Sequence, residues 1–162
     1  MVCFEPGRID PIEEDVADDG DDLVPIGVGA VKRPGSDVTV VALGYMLYPA
    51  QAAANQVAGE GVSVEVLDPR SLVPLDVQLI RESVQKTGRL IVVDESAPTC
   101  SMASEIITSV LEDWPTLQAL RAPAIRVTMP AVPVPFSPPL EDFVLPDQAR
   151  VAGAIREVLG YK

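Results

Sequence analysis

Histidine is absent from all 162 residues. With it go the commonest general base, the imidazole ligand of most catalytic metal sites, and every Ser-His or Cys-His nucleophile pair. Cysteine occurs twice, at Cys3 and Cys100. Two scattered thiols without histidine exclude a zinc site of the Cys/His type, and in a chain without a secretion signal they argue against a structural disulfide. Aromatic residues are 4% of the chain although 48% of it is hydrophobic, so the core must be aliphatic. No run approaches the roughly 18 apolar residues of a membrane span, and the N-terminus has no basic region leading into an apolar stretch. A soluble, cytoplasmic protein with no membrane partner is expected.

Basic residues are scarce too, 12 against 24 acids, for a net charge of −12. The imbalance is local. Residues 1–22 hold nine acids and one base, whereas residues 23–162 hold fifteen acids and eleven bases. This argues against nucleic acid and anionic membrane as partners and favours, at most, a basic protein.

What is present is a regular alternation. "VCF" at the N-terminus is strand-like with nothing to pair with, and "EPGRIDPIEEDVADDGDD" (5–22) reads as an acidic linker. A chain that opens in this way reads as a piece of something longer. "AVKR" (30–33), "VTVVAL" (38–43), "VSVEVLD" (62–68), "RLIVVDE" (89–95) and "AIRVTM" (124–129) read as strands. The β-branched runs among them suit strands buried on both faces. Between them, the patterns predict helices from Gly44 to about Ala58, over 74–87 with Asp76 as N-cap, and from about Ser101 to Leu111; a last helix follows at about 147–159. The proline-rich passage 130–146 reads as an extended loop. Alternating strands and helices give a three-layer α/β/α domain over residues 23–162. Its sheet is mainly parallel, of about five strands with one antiparallel.

Each candidate site has two readings. Asp94-Glu95 ends a predicted parallel strand, where open α/β sheets place ligands. The pair is either acid/base machinery or a turn in which Asp94 or Ser96 satisfies backbone amides. Adjacent carboxylates on extended chain point to opposite faces, so they cannot share one proton transfer. Cys100 and Ser101 stand where a helix begins, as a nucleophile would, but no base partner is in view, and Ser101 with Ser104-Glu105 also suits a cap. Gly27-Val28-Gly29 lacks the third glycine of a dinucleotide loop and precedes a strand. Gly44 alone is a weak phosphate cradle, and Arg70 at a strand end reads as one half of a structural ion pair.

Taken together, "VPIGVGAVKRPGSDVTVVALGYM" (24–46), "GVSVEVLDPRSLVPLD" (61–76), "VQKTGRLIVVDESAPTCSMASEI" (84–106) and the passage 122–151 resemble one family. It is the C-terminal, transketolase-like domain of the β subunit of thiamine-diphosphate-dependent 2-oxoacid dehydrogenases. "KTGRL" (86–90) and "PVPFSPPLED" (133–142) are the most specific phrases, and "PTCS" (98–101) looks nearest to acetoin and pyruvate dehydrogenase β subunits. Two departures from the family are Asp94 and Val28, where related subunits often carry His and Lys respectively.

The resemblance implies an oxidoreductase part with no catalytic, cofactor-binding or metal-binding residue of its own. Thiamine diphosphate and Mg²⁺ would sit in a preceding pyrimidine-binding domain and the α subunit, with residues 1–22 the remnant strand and linker of that domain. Residues 94–101 would then be a strand-to-helix turn. The implied partners are the α subunit, a second β subunit and the subunit-binding domain of a dihydrolipoyl acyltransferase. A homodimer or weak self-association is expected, with Val134, Phe136, Glu141 and Asp142 at or near a contact. The alternatives are a stand-alone interaction or regulatory module of the same fold, or the C-terminal domain of transketolase or deoxyxylulose-phosphate synthase.

Overall fold

The structure, a computed structural model, describes Gly7–Ile9, Glu13 and residues 23–161. The expected strand at 2–4 and the rest of the acidic stretch 5–22 lie outside the described residues. Five strands form one sheet: β1 (Ala30–Arg33), β2 (Val38–Ala42), β3 (Val64–Asp68), β4 (Leu90–Asp94) and β5 (Ile125–Thr128). Their order is β1-β3-β2-β4-β5. The last four run parallel, and β1 pairs antiparallel with β3 at one edge. This is the expected mixed α/β sheet with a single antiparallel pair.

The continuous β-branched runs explain why the sheet is covered twice. Every residue of β2 and of β4 is buried. On one face Val38, Val40, Ile91 and Val93 pack against α1 (Leu47–Ala58) and α6 (Gln148–Gly160). On the other, Val41, Leu67, Leu90 and Val92 meet α2 (Val77–Thr87) and α3 (Met102–Leu111). The stripe read from the sequence, Met46, Ala50, Ala53, Ala54 and Val57, is fully buried. Among the described residues, no helix is long and apolar enough to cross a membrane.

Local chemistry sets the element ends. Asp76 caps α2 by accepting from the Leu79 amide at 3.1 Å. Gly88 ends that helix at φ 71°, where a side chain would meet the Ala119 carbonyl and the Arg121 stem. Gly35 lets the β1–β2 turn lie against β3, since a Cβ there would stand 2.2 Å from the Glu65 amide nitrogen.

Two expectations are corrected. The passage 130–146 is not extended throughout, because Pro138–Val144 forms helix α5. Pro138 and Pro139 occupy its first turn, where no amide hydrogen is needed, and Ser137 supplies the carbonyl that Leu140 and Glu141 bond. A short helix absent from the sequence reading, α4 (Trp114–Ala119), follows Asp113, whose carboxylate accepts from the Thr116 amide and hydroxyl. The chain also takes a 3-10 turn, Gly44–Met46, before α1 begins.

The topology positions the site. From β2 the chain goes through α1 out to β3, then returns through α2 on the opposite face and crosses β2 to reach β4. This reversal opens a crevice at the carboxyl ends of β2 and β4.

Candidate functional site

The crevice is a cleft of about 760 Å³. Its walls are the β2–α1 turn (Leu43, Gly44, Leu47, Tyr48), the end of β3 (Asp68, Pro69, Arg70, Leu72) and the β4–α3 connection from Asp94 to Met102; Lys32 on β1 and Ile9 complete the rim. The topology thus brings Asp94, Glu95, Cys100 and Ser101 to one place.

Asp94 is buried, and both its oxygens are occupied. Oδ1 accepts from the Ser96 amide at 2.9 Å and Oδ2 from the Ala103 amide at 3.1 Å. One carboxylate therefore fixes the turn and the first amides of α3 at once. Ser101 caps the same helix through the Ser104 amide at 3.2 Å and donates to the Pro98 carbonyl at 3.3 Å. That carbonyl also accepts from the Ser104 hydroxyl and, at 2.7 Å, from the Arg126 guanidinium. The loop is tied down by backbone-satisfying bonds, which is the geometry of a structural turn.

Glu95 sits differently. It is partly buried, and burial raises its pKa above the usual carboxylate range; the neighbouring Asp94 and Glu141 charges add to the rise and Arg8 opposes it. Arg8 ion-pairs with Glu141 at 3.3 Å and Asp142 at 3.0 Å, and its guanidinium lies 5.8 Å from the Tyr45 ring centroid. Within the stretch read as an acidic linker, Gly7–Ile9 is thus tied to the domain through Arg8. Acids at 141–142, far along the chain, supply a partner that the local composition does not reveal.

Cys100 is an exposed free thiol in the left-handed region at φ 57°, and no described base bonds it. Arg70, across the cleft, shares that conformation at φ 58°, its amide bonded to Asp68 at 2.8 Å. The expected Arg70 ion pair is not among those of the described residues, and the residue is exposed. Among the described residues there is no group of three or more potential metal ligands. Asp68, Asp94 and Glu95 line the cleft, and Asp94 is already saturated by amides, so this donor set does not fit Mg²⁺ with a diphosphate. No residue described here is assigned to thiamine diphosphate.

The interface candidates lie beyond β5. Val134 is 63% exposed and Phe136 fully so, and Val132, Leu140 and Phe143 are exposed beside them. Glu141 and Asp142 are the partners of Arg8.

Residues 27–151 match the family described as Transketolase, C-terminal domain. The chain belongs to this family. The β subunit of acetoin:2,6-dichlorophenolindophenol oxidoreductase of Bacillus subtilis (strain 168) is 45% identical over 85% of the chain and 40% of that protein. The β subunit of the pyruvate dehydrogenase E1 component of Rhizobium meliloti (strain 1021) is 36% identical over 85% of the chain and 30% of that protein. A solved split gene transketolase, in an inactive beta4 tetramer, superposes with a TM-score of 0.74 at 29% identity, covering 86% of this chain and 44% of that one. The chain thus spans less than half the length of these relatives, and it shares ancestry with acetoin and pyruvate dehydrogenase β subunits. Within the transketolase C-terminal fold, the 94–101 segment is the β4–α3 connection just described.

Proposed function

We propose that this domain is the assembly part of the β subunit of a thiamine-diphosphate-dependent 2-oxoacid or acetoin dehydrogenase complex. In this reading it holds the α subunit and a second β subunit, and offers a docking surface to the subunit-binding domain of a dihydrolipoyl acyltransferase. The thiamine chemistry, the decarboxylation or acetoin cleavage itself, belongs to residues outside this domain. The compartment is that of the assembled complex, cytoplasmic in this reading.

The observation that carries the proposal is the apolar strip Val132, Val134, Phe136, Leu140 and Phe143, exposed on a domain whose relatives are subunits. The saturated Asp94 and the baseless Cys100 support a non-catalytic role.

Co-expression with an α-type subunit, followed by size exclusion with light scattering, tests assembly. A co-eluting complex is expected; a chain that always elutes without the α subunit sinks the reading. Calorimetry with thiamine diphosphate and Mg²⁺ on the chain alone tests the division of labour. Micromolar, Mg²⁺-dependent binding would overturn it.

A further inference from the structure

Helix α5 has little of its own to hold it. It runs seven residues, Pro138–Val144, opens on two prolines, and Ser137 at its N-cap makes no side-chain bond. Isolated helices shorter than about 12–15 residues are marginal in water, so tertiary contacts must supply the stability. Val144 is its one buried residue, and that side chain belongs to neither of the apolar clusters that flank the sheet. Leu140 and Phe143 are exposed, at 56% and 83%.

Two arginines from outside the helix reach it. Arg150 of α6 donates to the Val144 carbonyl at 3.2 Å and also to the Thr128 carbonyl, which ties the end of α5 to the end of β5. Arg8 holds the middle. One of its guanidinium nitrogens bridges Glu141 at 3.3 Å and Asp142 at 3.0 Å, while the group lies 5.8 Å from the ring centroid of Tyr45 in the β2–α1 turn. Arg8 thus stands between α5 and the body of the domain. All three charged side chains are partly exposed, so each pair is weak and is screened by salt. The surroundings raise their weight. Glu95 is near enough to Glu141 for the two charges to repel, and Arg8 is the cation set against them.

We propose that Gly7–Ile9 is a latch: Arg8 clips α5, and with it Leu140 and Phe143, to the β2–α1 turn, so that the placement of the chain at residue 7 governs how this apolar face is presented. In the closed state Arg8 sits on Glu141 and Asp142. In the open state α5 is anchored chiefly at its Val144 end by Arg150, and its amides exchange with solvent. Weakly packed segments of this kind are the ones that open locally in native proteins. The coupling is reciprocal: whatever covers α5 in its closed position also holds Arg8, and drawing Arg8 away loosens α5. The latch does not depend on the assembly role.

Hydrogen exchange on the full chain, read in peptides covering α5, tests the latch, with the amides of β2 and β4 as the internal reference for folding. Arg8→Gln is expected to speed exchange at Phe143, Val144 and Leu145 by about threefold or more. Arg8→Lys keeps the charge and is expected to recover part of the protection. Arg121→Gln removes one exposed charge elsewhere, beside Gly88, and is expected to leave α5 unchanged. Raising the salt to about 1 M, where the screening length falls to about 3 Å, is expected to speed α5 exchange in the parent but not in Arg8→Gln. The same contact can be read from its other side. Glu141→Gln with Asp142→Asn keeps Arg8 but frees it, and trypsin cleavage after Arg8, followed by mass spectrometry, is expected to quicken about threefold or more. Exchange of α5 unchanged by Arg8→Gln, salt acting equally on both proteins, or cleavage after Arg8 at the parent rate in the double variant would overturn the latch.

Discussion

Three carboxylates in this domain meet three different environments, and their chemistry differs accordingly. Asp94 is a structural acceptor for two amides. Asp94→Ala leaves the Ser96 and Ala103 amides without their acceptor, and bonds to a charged group are worth about 1.5–3 kcal/mol each. Denaturant unfolding is expected to show a loss of roughly 2–4 kcal/mol, partly recovered by Asp94→Asn. An alanine variant as stable as the parent would remove the structural role. Glu95 is the opposite case. Its pKa is raised, so its folded-state contribution is greatest when it is protonated and is lost as the pH rises through the folded value. At neutral pH the ionised group is a burden, and Glu95→Gln is expected to raise stability there by under about 1 kcal/mol, with no gain at pH 4.

Glu65, 3% exposed beside β1, balances two effects. Burial pushes its pKa up, but the Lys86 ammonium, the Ser83 hydroxyl and the Gly35 amide outweigh this and bring it below the ordinary value of 4.5. A depressed carboxylate stabilises above its unfolded pKa and loses that contribution as the pH falls through the folded one. The wild type is therefore expected to lose more stability than Glu65→Gln on acidification below about pH 4.5. Parallel pH profiles for the two proteins would contradict this.

At the scale of elements, the strands and long helices were legible because burial imposes a strong pattern on them. The β-branched runs of β2 and β4 and the stripe of α1 follow from being covered on one or both faces, and Asp76 and Ser101 cap the helices where short polar side chains would be expected. The short helices were not legible. In α4 and α5 a capping residue is followed within two positions by proline, and proline is as much a loop signal as a first-turn signal. The cleft was legible only in part. Strand ends pointed to Asp94 and Glu95, but the pairing of Arg8 with Glu141 and Asp142 spans more than 130 positions, and no local pattern carries it. The α4 cap provides a test, since Asp113 serves the Thr116 amide, the Thr116 hydroxyl and Gln85 together. Asp113→Ala is expected to lower the stability measurably, as the loss of an N-cap acceptor does. A cost within error of zero would show that packing alone holds that helix.

At the scale of the whole molecule, apolar side chains lie in two groups at the carboxyl edge of the sheet. Leu23, Val24, Ile26, Leu72 and Val73 are exposed on the β1–β3 side, and Val132, Val134, Phe136, Leu140 and Phe143 on the β5 side. Where exposed apolar side chains gather on one surface, they mark contact sites. The second group is also well prepared to dock. Prolines at 130, 133 and 135 stiffen the approach, and α5 sets Leu140 and Phe143 three positions apart on one helix face. Little conformational entropy is lost when such a segment is covered, so its burial favours association more than a flexible loop would. Sedimentation velocity over a range of concentrations is expected to show self-association, weakened about tenfold or more by Phe136→Asp and unchanged by Gln118→Asp, an exposed position on α4. A charge at a fully exposed position should leave the fold intact, so a shift in association can be assigned to the surface. A monomer at every concentration, or a dimer indifferent to the change at Phe136, would remove the β5-side strip as a contact.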